Sequence, residues 1–314
     1  MKKTLVVAAG LAVLSTSAFA TKSRMTALNQ DAGQGSYYMD DERNAFRSAG
    51  DFAGNYVYME HGSNGSAGDA EGGFFREGSS LNYGIYLNSS EHGQLGTSAT
   101  TAQPGRLDVF LQGNSGMNWG VRLGYESITV DGANEEGTAF DLSLNTELAG
   151  ANVWLSFSPA TDSLTTGADQ ESDMQLGATY GYGDHTLFFE YDSEGNGDGD
   201  DATTRMTLGA GRTMSNDNGM FFYDISFNQY TDETHPTLGA GDRMTIPVTF
   251  GFETQATSWL TWRASIKQSL MGSHEATNGD KTSARTTTLG VGASLNWGAL
   301  RVDGSVSNTD SVDG

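Results

Sequence analysis

The stretch Arg106-Leu107-Asp108-Val109-Phe110-Leu111-Gln112-Gly113 decides the fold. Successive side chains of a strand point to opposite faces, so Leu107, Val109 and Leu111 share one face while Arg106, Asp108 and Gln112 share the other. The alternation recurs at Trp119, Val121, Leu123 and Tyr125 against Arg122 and Glu126, and at Met174, Leu176, Ala178, Tyr180 and Tyr182 against Gln175 and Thr179. One face suits lipid and the other suits water.

Outward from there, strands are predicted near 55–60, 73–77, 81–88, 106–113, 118–127, 138–147, 151–158, 173–182, 185–192, 204–212, 219–229, 243–253, 258–268, 286–297 and 299–307. Their connections alternate. Asn114-Ser115-Gly116, Ala149-Gly150, Gly183-Asp184, 215–218, 254–257 and Gly298 are tight, whereas 89–105, 128–137, 159–172, 193–203, 230–242 and 269–285 are long and polar. Outer-membrane barrels place short turns on the periplasmic side and long loops outside. The expectation is therefore an all-β chain folded as an antiparallel transmembrane β-barrel over 55–314. A secreted β-sandwich or solenoid would alternate too, but would bury that face with Leu, Ile and Val. Here Tyr83, Trp119, Tyr125, Tyr180, Tyr182, Tyr191, Trp259, Trp262 and Trp297 lie on the apolar faces or near their ends, as interfacial girdles require. Trp154 falls on the polar face, as do Gly290 and Gly292, and Pro247 inside a strand warns against the register there.

Counted from a periplasmic N-terminus, the strand at 299 is the fifteenth and rises. Bacterial single-chain barrels carry even strand numbers, so about 16 strands are expected with about 15 present, the chain lacking a last descending strand. A 14-strand closure with the segment at 73 inside a loop is the alternative.

Residues 1–20 read as a secretory signal peptide: Lys2 and Lys3, an apolar core from Leu5 to Leu14, and Ala18-Phe19-Ala20 before the cut. The core is too short to span a bilayer as a helix. Without Lys2 and Lys3, 15 of the 17 basic residues remain against 39 acidic ones, a formal charge of −24. Nucleic-acid partners are disfavoured, since they need a basic footprint. There is no cysteine, which excludes disulfides and thiolate metal sites. The mean hydropathy of −0.41 argues against membrane helices and suits strands that are half wet. Residues 21–54 show no strand alternation and carry the charged run Asp40-Asp41-Glu42-Arg43; they are expected at the periplasmic mouth or folded into the lumen as a plug.

Charged groups on the polar faces are the candidate pore lining: Arg106, Asp108, Arg122, Glu126, Asp141, Glu190, Arg205, Asp224, Arg243, Glu253, Arg263, Lys267, Arg301 and Asp303. Facing lipid near mid-plane, an Arg or Lys would cost roughly 2–4 kcal/mol, so their common parity supports the barrel. The lining is nearly balanced in sign, and acidic loops tip it toward cations. Leu123 faces lipid and Gly124 the lumen, so arginine should be tolerated better at 124. The run 192–201 has the carboxylate-rich composition of a calcium loop without the spacing of one. His61, His92, His185, His235 and His274 fall in predicted turns or loops with no catalytic companion. No enzyme activity, cofactor or metal is expected.

Ser23-Arg24, Ala27-Leu28, Gln30-Asp31, Gly35-Ser36-Tyr37-Tyr38, Asp41-Glu42-Arg43-Asn44 and Glu71-Gly72-Gly73-Phe74-Phe75-Arg76 resemble the opening of a porin-like outer-membrane protein family of Bdellovibrio-type predatory bacteria. The resemblance covers the first 90 residues and implies an abundant outer-membrane barrel, a pore without catalytic residues. Barrels of this sort commonly end on an aromatic residue, whereas this chain ends Asp313-Gly314. The expected function is passive diffusion of small hydrophilic solutes and ions, with outer-membrane lipids and a homo-oligomer as partners. The alternative is a structural surface barrel with a plugged lumen.

Overall fold

The computed structural model describes residues 21–61, 70–89, 105–114, 117–130, 135–159, 172–196, 200–235, 239–298 and 300–312. The signal-peptide reading therefore lies outside the described residues. Two short helices, α1 (Lys22–Ala27) and α2 (Asn44–Arg47), precede the sheet. The strands are β1 (Tyr56–His61), β2 (Ala70–Arg76), β3 (Asn82–Leu87), β4 (Gly105–Asn114), β5 (Asn118–Val130), β6 (Glu135–Leu148), β7 (Ala151–Ser158) and β8 (Asp173–Tyr182). They continue as β9 (His185–Asn196), β10 (Asp200–Asn216), β11 (Gly219–His235), β12 (Gly239–Thr257), β13 (Leu260–Ala276), β14 (Lys281–Ser283), β15 (Arg285–Trp297) and β16 (Leu300–Val312). Fifteen of them pair antiparallel in chain order, and β14 pairs β13 beside that path. An odd number of alternating strands leaves β1 and β16 running the same way. Among the described residues no backbone pairing joins those two.

The exposure pattern inverts that of a water-soluble protein. On β5 and β6 the apolar Leu123 and Phe140 are 51% and 57% exposed, while Arg122 and Asp141 between them are 0% and 5% exposed. A sheet that presents Leu and Phe outward and encloses its ions is compatible with an apolar surrounding. The aromatics of the predicted girdle follow: Tyr180, Tyr182, Trp259, Trp262 and Trp297 are exposed on the outward face near the short turns. At the β6–β7 turn Ala149 and Gly150 both adopt positive φ, the twist-matched geometry of a two-residue hairpin.

Strand lengths differ from the sequence expectation on one side. β10, β11 and β13 run for 17 residues and β12 for 19, whereas β1 and β3 have six. A membrane crossing takes only about 9–11 residues. The long strands continue into 200–203, 230–235, 239–242 and 269–276, which read as loops. In these extensions the apolar–polar alternation fades, but the neighbouring strand still satisfies the backbone. Pro247, which has no N–H to donate, is tolerated because β12 shifts register against β13 between Ile246 and Pro247.

Candidate functional site

All fourteen predicted lining residues sit on the enclosed face, and much of the interior they border is filled. Residues 21–54 occupy it. Thr21 caps α1 by accepting from the Arg24 N–H at 3.0 Å, and its hydroxyl donates to Asp303 of β16 at 3.2 Å. Lys22 reaches the other edge: its backbone N–H donates to Glu60 of β1 and its ammonium pairs with Glu71 of β2 at 2.8 Å. The first turn of α1 thus touches strands on both sides of the seam between β1 and β16.

From Arg24 a chain of ion pairs runs along the wall. Its guanidinium binds Asp41 at 2.6 Å and Glu253 at 2.9 Å; Glu253 takes Arg263 at 2.8 Å, and Asp303 takes both Arg263 and Arg301 at 3.1 Å. The backbone of α1 lies directly on the sheet, where Ser265 donates to the Ala27 carbonyl at 2.7 Å. A Cβ on Gly290 would come within 2.6 Å of that carbonyl, and one on Gly292 within 2.7 Å of the Ala27 methyl. The two inward glycines noted in the sequence are the seat of the helix.

Farther along, Tyr38 donates to Asp224 and Tyr37 to Glu190, each at 2.6 Å, and Arg47 pairs with Glu190 at 3.2 Å while its guanidinium stacks 4.0 Å over Tyr37. Arg43 is fully enclosed, bound to Glu71 at 3.1 Å, Glu60 at 3.3 Å and the Gly33 carbonyl at 2.8 Å. Toward β1–β4 the contacts turn aromatic. Phe46 meets Tyr86 and Phe110 edge-on at 5.0 and 5.3 Å, and Phe52 packs on Phe75 at 5.0 Å.

The predicted residues therefore fall into three groups. Glu190, Asp224, Glu253, Arg263, Arg301 and Asp303 belong to networks that hold the N-terminal segment. Arg106, Asp108, Arg122, Glu126 and Asp141 form a cluster within β4–β6, with Arg106 bound to Asp108 at 2.8 Å and Arg122 to Asp141 at 2.6 Å. Arg205, Arg243 and Lys267 are half-buried on β10, β12 and β13, Arg205 close enough to Tyr37, Glu190 and Asp192 to be held by their charge and Lys267 to Asp224. Gly124 is not an empty position: a Cβ there would meet the side chains of Asp141 and Arg106, which an arginine at 124 would have to displace. The loop assignment of the histidines is also corrected. His61 and His235 end β1 and β11, His185 opens β9, and His274 lies buried within β13; His92 is outside the described residues.

Sequence reasoning missed Arg24, Arg43, Arg47, Glu60 and Glu71 as partners of the lining, and the inward aromatics Tyr58, Phe75, Tyr86, Phe188 and Phe222. A signal existed for the aromatics, since glycines sit across the strand pair from them. Gly84 leaves room for Phe75, Gly209 for Phe188 and Gly251 for Phe222.

Between the segment and the short turns lies a cavity of about 810 Å³. Asp40, Asp51 and Glu147 line it with Asn82, Gln112 and Asn145, and no basic side chain does among the described residues. Burial pushes the Glu42 carboxyl up to about 8, helped by its like-charged neighbours Asp41, Asp51 and Asp40, with the nearby Tyr56 hydroxyl opposing the rise. Asp51 lines the cavity beside Asp40. The surrounding protein, with Asp40 as the nearest like charge, pushes its carboxyl up to about 6.

No protein-family model, curated protein or solved structure matches the chain.

Proposed function

We propose that this chain is an outer-membrane barrel that carries its own N-terminal segment as a plug, and that small hydrophilic solutes and ions pass only when the plug yields. One observation carries the reading: residues 21–54 are bonded to inward side chains of β1, β2, β9, β11, β12, β13 and β16, so they cross the bore from wall to wall. The membrane setting is supported by the inverted exposure and the alternation of short and long connections. With the plug displaced, a lining that mixes both signs would discriminate ions weakly, and the net acidic charge would favour cations. The porin-like resemblance of the first 90 residues fits this reading, because most of the plug lies in the resembling stretch.

A purely structural barrel with a permanent plug is the second reading, favoured by the aromatic packing of Phe46 and Phe52. Planar-bilayer conductance separates the two. Mature protein should be silent or flicker rarely, and protein lacking 21–54 should give discrete steps with weak cation preference. A variant with the plug present but Gly290 and Gly292 replaced by Leu, which removes the seat of α1, should also conduct. Full conductance of the unaltered mature protein would overturn the plug, and silence of both variants as folded barrels would favour the structural reading.

A further inference from the structure

On β1 and β2 the wall sets two carboxylates directly against each other. Glu60 and Glu71 are cross-strand partners on the inward face, with side chains 8% and 3% exposed. Like charges placed opposite one another in a sheet repel, and withdrawal from water deepens the cost of leaving them unanswered. A wall built this way calls for a cation.

The plug answers it. A single nitrogen of the enclosed Arg43 guanidinium, Nη1, meets Glu71 at 3.1 Å, Glu60 at 3.3 Å and the Tyr86 hydroxyl of β3 at 3.3 Å. Tyr86 in turn donates to Glu60 at 3.5 Å, which turns its oxygen lone pairs toward the cation. Lys22 adds its ammonium to Glu71 at 2.8 Å, and its backbone N–H donates to Glu60. The wall's half of this cradle is oxygen from three neighbouring strands, and the plug's half is N–H.

The other carboxylates that hold the plug are placed differently. Glu253 and Asp303 are bonded to Arg263 of the wall itself, so they keep a wall cation when the plug moves. Asp224 receives a hydroxyl from Tyr38 and an amide from Gln30, both neutral, which water can replace. At Glu60 and Glu71 the bonded guanidinium and ammonium belong to the plug, so unseating it takes both heads from an opposed pair. A solute that brings such heads restores them.

We propose that Glu60 and Glu71 with Tyr86 form a docking site for a small organic cation whose guanidinium or primary ammonium head donates N–H bonds, and that Arg43 and Lys22 hold this site as built-in stand-ins. The solute binds the wall where the plug's heads have left it. It therefore favours the unseated plug, by the difference in its affinity for the two states. Charge alone does not suffice, because the cradle accepts hydrogen bonds and a head without N–H leaves its oxygens unanswered. The site names a solute class for the proposed pore. It rests on that reading for the consequence of unseating, but not for the binding.

Agmatine, which carries both heads, is the probe, measured by calorimetry on the full mature protein in detergent micelles. Arg43→Ala vacates the guanidinium place and should bind agmatine saturably and about tenfold more tightly than wild type, since a charge-assisted pair is returned to the wall. Adding Glu60→Gln and Glu71→Gln should remove that gain, whereas adding Arg212→Gln, at an exposed pair with Asp184 near a short turn, should keep it. If the triple variant fails the gel-mobility test of folding, Arg43→Ala with Glu60→Gln takes its place and should lose most of the gain. Tetramethylammonium, a cation with no N–H, should show none of it. Competition is read on wild type by chymotrypsin cutting after Phe46, a ring enclosed in the seated plug. Agmatine should speed the cut severalfold, and tetramethylammonium at equal ionic strength should not. Equal binding by wild type and folded Arg43→Ala, or a gain that survives loss of the carboxylates, would overturn the site; equal acceleration by the two cations would overturn the competition. None of these readings uses conductance, so failure of the pore reading shows separately in the bilayer.

Discussion

The two walls of this barrel hold the same plug by different physics. The β1–β4 wall is short and meets it chiefly with rings, Phe46 and Phe52 against Phe75, Tyr86 and Phe110, beside the ion pairs of Lys22 and Arg43 with Glu60 and Glu71. The β11–β16 wall is tall and meets it with ions, amides and bare glycines, through Arg24, Ala27, Asn29 and Tyr38. Apolar contact is insensitive to pH and strengthened by salting-out ions, whereas ion pairs answer to both pH and ionic strength. On the plug reading proposed above, the aromatic half should be the firmer of the two and the ionic half the first to release. The difference teaches that opening need not mean ejection, since the segment can swing on its aromatic half.

Breaking the aromatic side should have the largest effect. Phe46→Ala removes a fully buried ring, a loss of about 3–5 kcal/mol of packing, and with Phe52→Ala it should free the segment altogether. Trypsin then reports release, because Arg43 and Arg47 are enclosed while the plug is seated and become cleavable when it is not. Rapid cutting at both sites, with the barrel itself resistant, is the expected outcome. Continued protection would mean that the ionic side suffices.

Arg24→Gln breaks the ionic side and should matter less. Glu253 keeps Arg263 as a partner, so the chief loss is at Asp41, about 1–3 kcal/mol. Bilayer recordings should show flickering at intermediate conductance, with trypsin cutting slowly. A release as complete as that of the double phenylalanine variant would reverse the ranking of the walls.

The smallest expected effect is that of pH. Glu42 and Asp51 have their carboxyls raised in the seated plug, to about 8 and about 6. A released segment would titrate near the ordinary carboxylate range, about 4. The seated state therefore binds more protons, and its advantage is whole below that range and lost as pH rises through about 6 to 8. Open probability should climb between pH 5 and 9, and Glu42→Gln with Asp51→Asn should flatten the climb. A fall in opening over that range would contradict the sign.

Much of this was legible in the residues. Alternation fixed the faces of Leu107 and Asp108 because a strand offers only two, and the tight turns at Ala149-Gly150 and Gly183-Asp184 set the topology by their own backbone demands. The fifteen strands on the main path follow from those two signals. The plug was not legible in detail. Residues 21–54 have no period to read, and their partners Glu253 and Asp303 lie more than 200 positions away. Gly290 and Gly292 were seen on the polar face, but a missing side chain does not say what fills its place. The strand extensions at the long-loop end were read as loops for a related reason: pairing with a neighbour holds them, and pairing leaves no mark in composition.

The central claim is that residues 21–54 close the lumen, and a reversible lock tests it most directly. The chain has no cysteine, so Ala27→Cys with Ser265→Cys introduces the only pair, at positions already joined by a 2.7 Å hydrogen bond. Single-channel recordings at alkaline pH should show no openings from the oxidised, cross-linked protein and should recover them on reduction. Full-sized steps from the cross-linked protein would contradict the account.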